Sequence, residues 1–268
     1  MTTAISRSRL TRASGIGLGL ATLWFSLLVL IPLTAVLVET SRGGWSAFWR
    51  TVADDQTLAA IKMTVLQALG VTGVNVVLGT LIAWVLVRDS FPGKRALEVV
   101  IDIPFALPTI VAGLVLLSLY GPRSPIGVDV ANTRAAVFLA FLFVTLPFVV
   151  RTVQPVLSEL DPEAEEAAAS LGASPLVVFR RIILPALLPA ISAGAAMSFA
   201  RAISEYGSLV LISGNLPMRT EAASVRILTF IENGNMAAAS AVAAVLLVVA
   251  LAVIVILDVL QRKLARRG

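Results

Sequence analysis

Glu166–Pro185 reads EAAASLGASPLVVFRRIILP. Just upstream, Asp161-Pro162-Glu163 has the makings of a helix start: an aspartate to cap, a proline at the first helical position, and acids in the first turn, where the helix dipole is positive. Ala164, Ala168 and Leu171 then share one face at helical spacing. Gly172 ends that helix. Ser174-Pro175 starts another, with Leu176, Phe179 and Ile183 on one face, and Pro185 begins the descent into the next apolar run. The expected unit is two short helices joined by a glycine elbow. Small alanines and a glycine let a neighbouring backbone come close. The hairpin therefore either packs on its own bundle or forms a rigid knob for a groove in another protein.

The segment sits in a chain of 268 residues, 58% hydrophobic and only 14% charged, with a mean hydropathy of +0.93. A soluble domain is about one-quarter charged. Lipid must solvate this much apolar surface, so the expected class is an all-α membrane protein. The sequence has no cysteine and no histidine. That excludes disulfides, thiol chemistry, Ser-His-Asp catalysis and His- or Cys-based metal sites.

Six apolar runs have the length of membrane-crossing helices: Leu18–Val38, Leu58–Val87, Val99–Tyr120, Ala135–Val153, Ala186–Ile212 and Ala237–Leu260. The first is too long for a signal peptide, lacks a small-residue cleavage site and continues into Pro32 and Glu39, so it reads as a retained helix. Residues 1–17 and 261–268 are then basic tails on a six-helix domain spanning 18–260.

The formal charge of +5 and pI near 10.4 belong to short loops rather than to a nucleic-acid surface. Arg7, Arg9 and Arg12, Arg88, Lys94 and Arg95, Arg151, Arg180 and Arg181, and Arg262, Lys263, Arg266 and Arg267 fall on one side, thirteen cations in all. Arg42, Arg50, Arg123, Arg134, Arg219 and Arg226, six in all, fall on the other. Thirteen against six places both termini and the 155–185 loop in the cytoplasm.

The quoted stretch also fits the pattern E-A-A, three residues, Gly, nine residues, I-x-L-P, with Glu166, Ala167, Ala168, Gly172, Ile182, Leu184 and Pro185 at the fixed positions. It resembles the cytoplasmic loop by which ABC-importer permeases grip their ATPase. Further stretches, PFALPTIVAG at 104–113, PFVVRTVQPVL at 147–157 and SFARAISEYGSLVLISGN at 198–215, resemble the sulfate/thiosulfate permease family and its CysT-type subunit. Ser204 departs from the glycine usual in that family before the Glu-Tyr-Gly triplet.

The resemblance implies a MetI-like ABC importer permease fold of six transmembrane helices with a cytoplasmic coupling loop, in the bacterial inner membrane. It implies as partners a CysW-type second permease, two copies of a CysA-type ATPase and an extracytoplasmic sulfate-binding protein. The cargo it implies is sulfate or thiosulfate; molybdate or tungstate keeps the same architecture and stays open. The chain has no G-x-x-x-x-G-K-[ST] phosphate loop, and Gly15, Gly17 and Gly19 are alternating glycines at a membrane entry rather than a dinucleotide fingerprint. The chain is accordingly expected to be no enzyme and to bind no cofactor or metal itself, with ATP and Mg on the partner ATPase.

Within the runs a few residues stand out. Arg201 and Glu205 are four apart, and a lone charge at mid-bilayer costs roughly 2.5–3.5 kcal/mol. They form either a structural ion pair or an anion station in which Glu205 orients Arg201 and tempers its affinity. Tyr206, Gly207 and Ser208 come next, with Gly207 suited to close helix approach or a local break. Pro104, Pro108 and Thr109 predict a kink, and a gate is the sharper reading. Asp102 is expected to pair with a loop cation, and Arg151 to act as a cytoplasmic anchor, with contact to the 155–185 loop a further option.

Overall fold

The computed structural model describes residues 12–265, and those residues form helices joined by short turns, with no strand among them. Arg7, Arg9, Arg266 and Arg267 lie outside the described residues. The elements are α1 (Ser14–Arg42), α2 (Gly44–Val52), α3 (Asp55–Arg88), α4 (Lys94–Ala106), α5 (Thr109–Tyr120), α6 (Arg134–Ser158), α7 (Pro162–Ser170), α8 (Pro175–Ile203), α9 (Gly207–Ile212), α10 (Ala223–Glu232) and α11 (Met236–Ala265). Five of them, α1, α3, α6, α8 and α11, are long and apolar enough to cross a membrane; the bent pair α4 and α5 supplies a sixth crossing if taken together. Helical backbone starts at Arg12, just ahead of the span α1, and α11 extends to Ala265, so parts of 1–17 and 261–268 are helical.

The third and fifth apolar runs are not straight rods. The third is bent by 119° between Ala106 and Thr109. Pro108 cannot continue a helix through its own position and restricts Leu107 to extended backbone (φ −87°, ψ 135°). Pro104, by contrast, lies inside α4. The fifth run ends at Ile203, breaks over Ser204–Tyr206 and resumes as the short α9. At its inner end the helix begins well before the apolar run, at Pro175.

That early start corrects the expected pair of short helices. Only α7 is short; its supposed partner is the first turn of α8, which passes Pro185 without interruption. A π turn at Phe179–Ile183, closed by Leu184 N–H to Phe179 O, precedes the proline. The same device occurs in α1, where the π turn Ser26–Leu30 precedes Pro32. A widened turn ahead of the proline makes room for a ring that would otherwise press on the carbonyl four residues earlier.

Helices α3, α6 and α8 pack together at the centre, and α11 lies against α8 with α1 on its other flank. The buried apolar side chains form two cores. Outer and inner follow the sides that the basic-residue count predicts: the outer one gathers Val71, Phe141, Phe199, Leu209, Ile212 and Val242. The inner one gathers Leu86, Val149, Val150, Val153, Leu157 and Leu187. Along α3, α6 and α8 the two are separated by a layer of buried polar side chains, Asn75, Thr145 and Ser198. The apolar residues of α1 remain exposed, as a lipid-solvated helix requires.

The outer end of the bundle is tied by polar contacts. Asp54 caps α3 by accepting from Thr57 N at 3.0 Å and receives Arg226 at 3.3 Å. Gln56 donates to Glu221 at 2.7 Å, and Ala223 N donates to Thr64 Oγ1 at 2.9 Å. The Thr57 backbone N–H holds the Asp54 carboxyl below its ordinary pKa, with the Thr57 hydroxyl and Arg226 assisting and burial opposing.

Candidate coupling loop and anion pathway

The elbow between α7 and α8 is a hydrogen-bonded stop. Asp161 Oδ1 accepts from Glu163 N at 2.9 Å, capping α7 at its start. At the other end Ala173 N donates to Ala168 O at 3.0 Å and Gly172 N to Ala169 O at 2.9 Å. This is the Schellman pattern, six-to-one outside five-to-two, and it needs a left-handed residue at the position Gly172 occupies with φ +82°. The four-residue separation between Ala168 and Gly172 thus has a mechanical cause. A Cβ on Gly172 would meet nothing within 4 Å, so within this chain the glycine is required by backbone conformation alone.

The residues of the pattern do not share one environment. Glu166, Ala167 and Pro185 are exposed or partly so; Ala168, Ile182 and Leu184 are half-buried. Ala168, Ala173, Phe179 and Ile182 pack on the inner core, while Leu171 is 89% exposed and Leu176 64%. Of the residues expected to share a helical face, Leu171 and Leu176 therefore project from the tip. A groove of about 510 Å3 runs beside them, between Trp84 of α3, Glu165, Glu166 and Ala169 of α7, and Pro175 and Phe179 of α8. Arg88 pairs with Glu165 on its wall while resting on the Trp84 ring, 5.4 Å from its centroid.

Arg151 does not reach the loop. Its Nε donates to Asp102 Oδ1 at 2.8 Å and its Nη2 to Oδ2 at 2.5 Å, with Gln154 Oε1 and Glu98 O taking further bonds. The partner of Asp102 is therefore a cation of a neighbouring helix rather than one of a loop.

At the outer half, Arg201 Nη2 lies 2.6 Å from Glu205 Oε2. The two are not on one continuous helix, because Glu205 stands in the break after Ile203. There its other oxygen, Oε1, accepts from Ser208 N and Ser208 Oγ, each at 2.9 Å, so Glu205 caps α9 as it pairs with Arg201. The Glu205 side chain is 1% exposed, whereas Arg201 keeps 29%. The arginine is the member of the pair with a free face.

Gly207 permits both the break and a close approach. A Cβ there would strike Thr109 Oγ1 and stand 2.9 Å from Ile110 N; one on Gly113 would stand 2.6 Å from Ser208 O. The start of α5 and the break before α9 are in backbone contact, so Thr109, Gly207, Ser208, Glu205 and Arg201 form one cluster beside the exposed Tyr206. Pro108 sits at the bend that delivers Thr109 to it; Pro104 lies lower, inside α4.

The chain's sequence matches the model of one family, described as binding-protein-dependent transport system inner membrane component, over residues 75–267. It is 41% identical over 271 residues to the sulfate transport system permease protein CysT of Salmonella typhimurium, covering 98% of each chain. To the CysT protein of Synechocystis sp. it is 44% identical over 247 residues, covering 90% of this chain and 86% of the other. Its fold is similar to that of a chain in the crystal structure of a bacterial alginate ABC transporter in complex with an alginate-bound periplasmic protein. The TM-score is 0.73 at 17% identity, covering 93% of this chain and 94% of that one.

Proposed function

The chain belongs to the family of binding-protein-dependent transport system inner membrane components, and from that premise we propose that it is the CysT-type permease of an ATP-driven sulfate or thiosulfate importer. The near full-length identity to CysT permeases carries the cargo assignment. In this reading a second permease completes the conduit, two copies of an ATPase sit on the cytoplasmic side, and an extracytoplasmic binding protein delivers the anion. Both termini and the 155–185 loop are cytoplasmic, as the distribution of basic residues supports.

The Schellman elbow is the part that enters the ATPase. Its stiffness comes from hydrogen bonds at both ends of α7, and its tip offers Leu171 and Leu176 as apolar contacts. Closure of the ATPase pair moves the tip, and α8 moves with it because no joint separates the two.

Arg201 serves the anion. A guanidinium can present two N–H groups to an oxyanion. Here one face is committed to Glu205, so a passing sulfate meets a partly neutralised cation that attracts without trapping, as a conduit requires. Reconstitution of the chain with its second permease, ATPase and binding protein in proteoliposomes tests this. ATP-dependent uptake of labelled sulfate, competed by thiosulfate, is expected; uptake of molybdate with indifference to sulfate would move the cargo to the other oxyanion class.

A further inference from the structure

Two apolar cores in one bundle need something at the seam, and here it is a single amide. Asn75 is fully buried on α3. Its Nδ2 donates to Thr145 Oγ1 of α6 at 2.7 Å and to Ser198 Oγ of α8 at 3.1 Å. Thr145 passes its own proton to Phe141 O at 2.7 Å. The donor side of the amide is satisfied, but its Oδ1 is buried with no partner. The Ser198 hydroxyl accepts from Nδ2, and among the described residues no acceptor takes its proton. An unmet acceptor and an unspent donor therefore face the same three-helix seam. A purely structural clasp would be expected to use both, because an unpaired polar group in a dry interior is costly.

The surroundings are packed at backbone distance. Gly79, four residues on from Asn75, would bring a Cβ within 2.7 Å of Val149; Gly194, four residues before Ser198, would bring one within 2.9 Å of the Val149 Cα. Side chains are pared away where α3 and α8 cross α6, while the amide alone supplies directional bonds. Ser198 also stands on the same unbroken helix as the elbow at one end and Arg201 at the other.

We infer that Asn75 is a positioning residue of transport, the joint through which displacement of α8 is passed to α3 and α6. In the present arrangement Nδ2 holds Ser198 Oγ; when α8 shifts, the Ser198 hydroxyl turns to donate to Oδ1, and the seam exchanges one hydrogen bond for another. No bond is broken without replacement. The inference rests on the proposed coupling loop, since the displacement has to originate at the elbow.

The test uses the assembled complex in proteoliposomes with binding protein and labelled sulfate, and reads sulfate imported per ATP hydrolysed. Asn75→Leu keeps the branching of the side chain but is bulkier, and Ser198→Ala removes one atom beside a tight crossing, so at least the second variant assembles. Each is expected to leave ATP hydrolysis per complex near the parent level and to lower the transport ratio about 10-fold. The double variant should be no worse than the worse single, because both act at one joint. An unchanged ratio in both single variants overturns the inference. So does a loss of uptake and hydrolysis in proportion to the amount of complex recovered, which would make the amide structural only. Gly172→Trp in the same assay separates the two layers: if it uncouples while Asn75→Leu and Ser198→Ala do not, the joint alone falls. If Gly172→Trp retains assembly and ratio, the coupling loop falls as a mechanism and takes the joint with it.

Discussion

Arg151 grips Asp102 through both carboxylate oxygens, and this fork binds α4 to α6 on the inner side of the bundle. The two side chains are 31% and 47% exposed, so screening weakens the pair relative to a dry one. Removing either partner should cost about 1–2 kcal/mol, between exposed and buried pairs. Asp102→Ala and Arg151→Ala should each lower the unfolding midpoint of the detergent-solubilised chain. The double variant Asp102→Ala with Arg151→Ala should lose less than the sum of the two single losses.

A methyl group at position 207 would collide with Thr109 and crowd Ile110 N. Gly207→Ala is therefore expected to cost about 1–3 kcal/mol through overpacking and to abolish most uptake. Adding Thr109→Ala removes the hydroxyl half of the collision and should restore part of the thermal stability. Equal instability of the single and double variants would place the strain elsewhere.

Leu171 touches little within its own chain. Leu171→Asp should leave the melting of the isolated permease within about 0.5 kcal/mol, as surface substitutions do. It should weaken recovery of the ATPase on a tagged permease at least about 10-fold, as loss of an apolar anchor does. A variant that retains the ATPase fully would show that the tip is not the contact.

At the elbow itself, a left-handed backbone penalises any side chain. Gly172→Asn is expected to be the mildest replacement and Gly172→Val among the worst, differing by about 1 kcal/mol because asparagine tolerates this conformation. Limited proteolysis of the 161–175 segment would rank them.

At the outer end, Asp54 has its carboxyl held below the ordinary value by the Thr57 N–H. A lowered folded pKa contributes stability that is present above the ordinary carboxylate value of about 3.9 and is lost as pH falls through the lower folded value. The thermal midpoint should accordingly drop below about pH 4, and Asp54→Asn should flatten part of that drop. Arg226→Gln should act in the same direction, more weakly, because Arg226 is a lesser cause of the shift.

Much of this architecture could be read from periodicity and composition. Four of the six apolar runs each lie in one long helix, the third is a bent pair and the fifth breaks before its last turns, and the aspartate cap before Pro162 forms as its residues suggest. Glycine spacing located the elbow but not the unbroken helix beyond it. A proline inside a helix reads as a stop when the π turn that accommodates it has no residue signature. Gly207 points to close approach or a local break, and the backbone lapses just ahead of it, at 204–206; the apolar run alone shows where lipid is, not where backbone bonds lapse. Pairing across helices was the least legible. Nothing in one chain's order says that Asp102 meets Arg151, 49 positions away, or that Asn75, Thr145 and Ser198 share a seam.

The continuity of α8 from the elbow to Arg201 sets a ratio of scales. Helix α8 has 29 residues, which at ~1.5 Å each makes an arm of ~44 Å. Tilting such an arm by ~5° sweeps its far tip through ~4 Å, most of the rise of one helical turn. A modest stroke at the elbow end is thus amplified by leverage alone into a displacement on the scale of a small anion.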